Sequence, residues 1–217
     1  MGKARLGLAA AVVAACLIAP AAAQAREPII FVHGWSSSGS TWNTMASRFR
    51  ADGWTTAETV QWSYNTSQSN ATTASQLSTL VDQVRASTGS AKVDQISHSM
   101  GGLSTSYYTK NLGGAAKVDD FVSLAGPNHG TNTAFLCLQT SCRQMWPGSS
   151  FLSQLNSGDE TPGTPNYGTW WSPCDEVINP DSSVLLSGAV NTQTACLSHS
   201  GVKDSATVYA QVRDFVR

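Results

Sequence analysis

The hydrophobic pattern of this chain changes period repeatedly along its length. Pro28 to Val32 is a short, continuous apolar run, the pattern of a strand buried on both faces. Thr41 to Arg50 then carries Trp42, Met45, Ala46 and Phe49 at helical spacing and ends before Asp52-Gly53. The same reading predicts strands over Thr55–Trp62, Ala91–Ile96 and Lys117–Leu124. It predicts helices over Asn70–Ala86 and Met100–Leu112, the second closed by Gly113-Gly114. Tyr167–Trp171 and Thr194–Leu197 read as the last two strands, with 184–190 between them unassigned, and Ser205–Val216 as a closing helix.

Strands that alternate with helices imply parallel β-α-β units, hence an α/β fold with a doubly wound sheet and helices on both faces. In such sheets the working residues gather at the carboxyl edge of the strands. Residues 126–163 break the rhythm. They are rich in Gly, Asn, Thr, Ser and Pro, with one weak helical stretch at Ser149–Leu155, and read as an excursion over the sheet edge within a single domain.

Composition adds a compartment and removes some partners. Lys3 and Arg5 precede the apolar run Leu6–Ala19, and Ala23-Gln24-Ala25 is a cleavage signal, so residues 1–25 read as a secretory signal peptide and 26–217 as the single mature domain. Val13-Ala14-Ala15-Cys16 offers a lipoprotein box as a minor alternative. The apolar run is too short and too alanine-rich for a stable membrane anchor. Only 12% of the 217 residues are charged, with a net charge of −1, which leaves no electrostatic footprint for nucleic acid. An extracellular, monomeric protein is expected. Of five cysteines, Cys16 falls in the leader, and the remaining four imply disulfides. Of three possible pairings, proximity favours Cys137–Cys142, which leaves Cys174–Cys196. Zinc spacing is poor. No metal site or cofactor is assigned, although scattered carboxylates leave a structural calcium ion open.

The candidate chemistry lies in Ser97-His98-Ser99-Met100-Gly101, between a predicted strand and a predicted helix. That is the context of a nucleophile elbow, in which residues two before and two after the serine must be small. Ser99 has Ser97 and Gly101 at those positions; Ser97 would have Gln95, which does not fit. Ser99 is therefore the candidate nucleophile, and a Ser/Gly turn without chemistry is the bland alternative. A serine needs a base oriented by a carboxylate. Of four histidines, His98 adjoins Ser99 and is expected to point away, and His33 to brace its own loop. His199 lies late in the chain, where the last strand meets the closing helix, and is the candidate base. Asp175, after the strand at 167–171, is the candidate acid, with Glu176, Asp181, Asp159 and Glu160 as rivals. A Cys174–Cys196 bridge would tie the acid loop to the histidine loop. The oxyanion donors expected are the backbone N–H groups of Met100 and Trp35.

Five segments together resemble the small secreted bacterial lipases of the α/β-hydrolase superfamily. They are Phe31-Val32-His33-Gly34-Trp35, Ser97–Gly102, Leu124–Thr131, Ser172–Glu176 and Ser198–Gly201. The serine, acid and histidine follow the superfamily order, and Ser97 stands where the group commonly carries another small residue. The resemblance implies hydrolysis of carboxylic esters, acylglycerols first, through an acyl-serine intermediate. A cutinase-like polyester hydrolase, a short-chain carboxylesterase and a non-catalytic binding module are the alternatives. Trp35, Trp42, Trp146, Trp170 and Trp171 suggest a greasy site, against the plainer reading of core packing. Residues 131–163 are the sizeable candidate for a lid.

Overall fold

Apolar residues at every position let the first strand bury both faces, and that strand organises the sheet. The computed structural model describes residues 1–2 and 26–217; the leader and Cys16 lie outside them. Six parallel strands, β1 (Ile29–Val32), β2 (Thr59–Trp62), β3 (Val93–His98), β4 (Val118–Leu124), β5 (Asn166–Trp171) and β6 (Val190–Gln193), pair in the order β2-β1-β3-β4-β5-β6. Side chains alternate across a strand. Ile29 and Phe31 therefore join one core with Trp42, Phe49, Val208 and Val212, while Ile30 and Val32 join the other with Leu77, Val81, Tyr108 and Phe121.

The helices α1 (Asn43–Ala51), α6 (His199–Asp204) and α7 (Ala206–Phe215) cover the first face. The second is covered by α2 (Asn70–Thr88) and α3 (Gly101–Asn111). Helix α2 begins where Ser69 Oγ accepts from the Thr72 amide at 3.1 Å and ends at Gly89, whose φ of 75° only glycine adopts without strain. In α3, small residues let the helix lie close on the sheet. The buried hydroxyls of Thr105 and Thr109 donate to the carbonyls of Gly101 and Thr105, one turn earlier, at 3.2 and 2.9 Å.

Residues 126–163 do form an excursion, with α5 (Ser150–Leu155) near the expected place and α4 (Thr140–Gln144) beside it. Ala134, Met145, Phe151, Leu152 and Leu155 close on Met100 and Leu103 of the elbow and α3, so this cap shares a core with the site. The expected last strand at 194–197 is wrong. The strand is β6, four residues earlier, and 194–197 is a loop held to β5: the Thr194 amide donates to Trp171 O at 2.8 Å, and the Leu197 amide to Ser172 Oγ at 2.8 Å. Among the described residues no helix is long and apolar enough to cross a membrane.

Candidate active site

The chain runs from β1 outward to β2 and then crosses back over β1 to β3. The carboxyl ends of β1 and β3 are thus the switch point of the sheet, where loops diverge and leave a crevice. Ser99 sits there, on the turn from β3 to α3, at φ 56°. That left-handed backbone is strained for a residue with a Cβ, about 1–3 kcal/mol. The turn is fixed on both sides. The Ser99 amide donates to Leu124 O at 3.0 Å, and a Cβ on Gly101 would come within 2.6 Å of the Val32 and His33 carbonyls. Ser97 is fully buried two residues earlier, and its hydroxyl donates to Val122 O on β4 at 2.9 Å. A small side chain is what the position requires, and the hydroxyl is satisfied inside the sheet.

Gly34, at the end of β1, lies under the serine: a Cβ there would meet Ser99 Cβ at 2.7 Å and Oγ at 3.1 Å. This close approach brings the Trp35 backbone beside Ser99. Among the described residues neither the Trp35 nor the Met100 amide has a hydrogen-bond partner, and Met100 immediately precedes the N-terminus of α3. His33 braces the loop as expected. Its Nδ1 donates to Gly34 O at 2.8 Å, its Nε2 faces the Tyr64 amide, and its ring stacks on Tyr64 at 4.3 Å. Burial holds His33 below the ordinary histidine range.

His199 opens α6, and its Nδ1 lies 2.9 Å from Asp175 Oδ2. The Asp175 side chain is only 2% exposed, and its Oδ1 also accepts the Val177 and Ile178 amides at 2.8 and 2.9 Å. Burial opposes ionisation of this carboxyl. The His199 bond and charge, together with those two amides, outweigh it and hold the group below the usual carboxylate range. Glu176 has a different place: its Oε2 accepts the His199 backbone amide at 2.9 Å. Of the other rivals, Glu160 pairs with His129 and Asp159 bonds Thr161, while Asp181 opens a short turn at Asp181–Val184.

Two ties, one covalent and one hydrogen-bonded, hold the Asp175 and His199 loops together. One is the Cys174–Cys196 disulfide, in the pairing expected, as is Cys137–Cys142. The other is Ser172, whose hydroxyl donates to Leu197 O at 2.6 Å and accepts from the amides of Leu197 and Cys174. Nothing in the sequence around Ser172 signals this.

Ser99 and His199 line one cleft of about 350 Å³. No hydrogen bond joins Ser99 Oγ to His199, a contact that commonly tightens only with substrate bound. Trp35, Leu136, Met145, Val177, Ile178 and the Cys137–Cys142 bridge make its walls mostly apolar. Trp35 is 43% exposed on the rim, and its indole N–H donates to Gln139 of the cap at 2.8 Å. Trp42 and Trp170 are core residues, as the plainer reading has it.

His98 has a place that the sequence did not indicate. Its ring lies 4.5 Å from the His199 ring, and its Nε2–H donates to His199 O at 3.0 Å. Burial, with the neighbouring His199, pushes His98 down to about 3 from an ordinary 6.5. A histidine kept neutral by the fold contributes stability that is whole above its unfolded value and drains as pH falls below it. Melting temperature is therefore expected to fall as pH drops from about 6.5 toward 3, and His98→Gln to flatten that slope. Thermal melts of both proteins across this range check it; equal slopes would refute the role of His98.

A strained serine over a glycine, a histidine–aspartate pair and an apolar cleft meet on one sheet edge. The sequence model of the family described as Lipase (class 2) matches residues 26–213. The chain belongs to the class 2 lipase family. It is a lipolytic hydrolase with the α/β-hydrolase fold. Among solved structures, the mature form of Bacillus licheniformis lipase BlEst2 superposes with a TM-score of 0.78 at 17% identity, over 89% of this lipase and 93% of that chain. Aspergillus fumigatus lipase B gives 0.74 at 20% identity, over 88% and 52%. Legionella pneumophila phospholipase PlaB gives 0.71 at 16%, over 87% and 57%. This lipase thus spans about half the length of the last two. At these identities the likeness shows the fold. No curated protein sequence matches.

Proposed function

We propose that this protein is a secreted serine lipase that cleaves acylglycerol esters through a Ser99–His199–Asp175 triad. The observation that carries the reading is the buried His199–Asp175 pair facing the same cleft as a serine held at φ 56°. Asp175 accepts the Nδ1–H of His199 and so fixes the tautomer that leaves Nε2 free to take the Ser99 proton. Ser99 Oγ attacks the ester carbonyl, and the Trp35 and Met100 amides receive the oxyanion. His199 then protonates the departing alcohol, leaving an acyl-serine that water, activated by the same histidine, hydrolyses. The apolar walls of the cleft suit an acyl chain. The disulfides fit an oxidising compartment, and the leader reading for residues 1–25 fits export.

The test is a serine-directed phosphonate bearing an alkyl chain, applied to protein from the culture medium. One label at Ser99 on a monomer whose mass begins at Arg26 is the expected result. Turnover of nitrophenyl esters of graded length is expected to rise into long acyl chains. A maximum at short chains makes the protein an esterase instead, and no ester turnover refutes the triad.

A further inference from the structure

At the opposite, amino-terminal edge of the sheet, β4 breaks register against β3: Val93 pairs with Val118, but Gln95 pairs with Phe121. One extra residue on β4 thus puts Asp119 and Asp120 together opposite the single Asp94. Successive side chains on a regular strand point to opposite faces, so a bulge is what brings two adjacent carboxylates to one spot. Oxygens of Asp94, Asp119 and Asp120 lie within 4.8 Å of one another. Glu27, just ahead of β1, lines the same hollow as Asp119 and Asp120.

These carboxylates are poorly compensated. Asp94 is 0% exposed; its Oδ1 accepts the Asp120 amide at 3.2 Å, and its Oδ2 has no partner. Glu27 Oε2 is likewise buried without one. Asp120 Oδ1 accepts from Asn166, and Lys92 reaches Asp119 Oδ1 at 2.8 Å from the half-exposed rim. Arg26 and Arg217 line the same hollow but turn to Asp52, so among the described residues Lys92 is the one cation paired with these four acidic side chains. A buried carboxylate oxygen with neither donor nor counter-charge is strongly disfavoured. Burial and the Asp120 and Asp119 charges accordingly push the Asp94 carboxyl well above the usual range.

We propose that Asp94, Asp119, Asp120 and Glu27 bind a calcium ion at the amino-terminal edge of the sheet. The donors are all hard carboxylate oxygens with no histidine or cysteine among them, which suits calcium rather than zinc or copper. Carboxylates on β3 and β4 and ahead of β1 would be clipped by one ion, far from the ester-cleaving edge, so the effect is on stability. The rival occupant of the cluster is a shared proton.

The experiment is thermal melting at pH 7.5 in EDTA and in calcium up to about 10 mM, roughly ten times the weak end of extracellular calcium sites. Wild type is expected to gain about 3–6 °C with calcium, the size of shift a ten-fold ligand excess gives a domain of this length. Isothermal titration is expected to give one ion per chain. Asp94→Asn is expected to melt higher than wild type in EDTA, because it removes an uncompensated charge, and to lose the calcium shift. Should that variant fail to fold, Glu27→Gln serves, with the same loss expected. No shift in wild type, or an equal shift in whichever variant folds, overturns the proposal and leaves the proton as the occupant.

Discussion

Ser99→Ala is expected to lower kcat on a long-chain nitrophenyl ester by about 10⁴- to 10⁶-fold, with little change in KM. The size follows from what is removed. Without the hydroxyl there is no acyl-enzyme, and only the oxyanion donors and substrate positioning remain. The fold is expected to survive, because alanine keeps the Cβ that packs on Gly34 and the turn is fixed by Leu124 and Gly101. Ser99→Gly should be equally inactive yet more stable than wild type, by about 1 kcal/mol, since glycine accepts φ 56° without strain. Ser97→Ala is the control. It loses one buried hydrogen bond, to Val122 O, about 1 kcal/mol of stability, and should keep most of its activity. Steady-state kinetics and thermal melts of the three variants measure this. An active Ser99→Ala would remove the nucleophile assignment.

Asp175→Asn is expected to lower kcat by about 10⁴-fold while leaving the protein folded. With Oδ1 still accepting the Val177 and Ile178 amides, the new NH₂ group faces His199 Nδ1. Nδ1 must then become the acceptor, which moves the ring proton to Nε2, where it blocks the serine. Glu176→Gln is the matched comparison: its amide oxygen can still accept the His199 backbone N–H, so activity should fall less than about ten-fold. Losses in the reverse order would make Glu176 the acid.

The contrast between those two carboxylates shows where sequence reading stops. Asp175 and Glu176 are adjacent, and no pattern says which of them meets an imidazole and which a backbone amide. Strand β1 was legible because burial on both faces leaves an unbroken apolar signature, whereas β3 and β4 are interrupted by Asp94, Gln95, Asp119 and Asp120 and were legible from their place between helical stretches. Strand β6 was not. It is the outer strand, Val190 is 60% exposed, and its Asn-Thr-Gln sequence carries no period to read. The elbow was legible from its place between a strand and a helix and from the small residues at 97 and 101, the second of which has no room for a Cβ. The contact of His98 with His199 was not foreseen, although a signal existed. Strand alternation puts it on the face of Ile96, and that face is the one α6 and α7 cover, so its ring had to turn toward His199. Ser172 left no trace, because a hydroxyl that holds two loops looks like any serine after a strand.

The strand order also separates the serine from its proposed partners along the chain. From β3 onward each new strand lies at the outer edge of the sheet, so the Ser99 turn is held by β4 and by the cap that follows it. Asp175 and His199 arrive only with the loops that follow β5 and β6. A carboxyl-terminally clipped chain thus keeps the proposed nucleophile and loses the proposed base. On the proposed triad, a chain clipped before His199 is expected to bind substrate without turning it over.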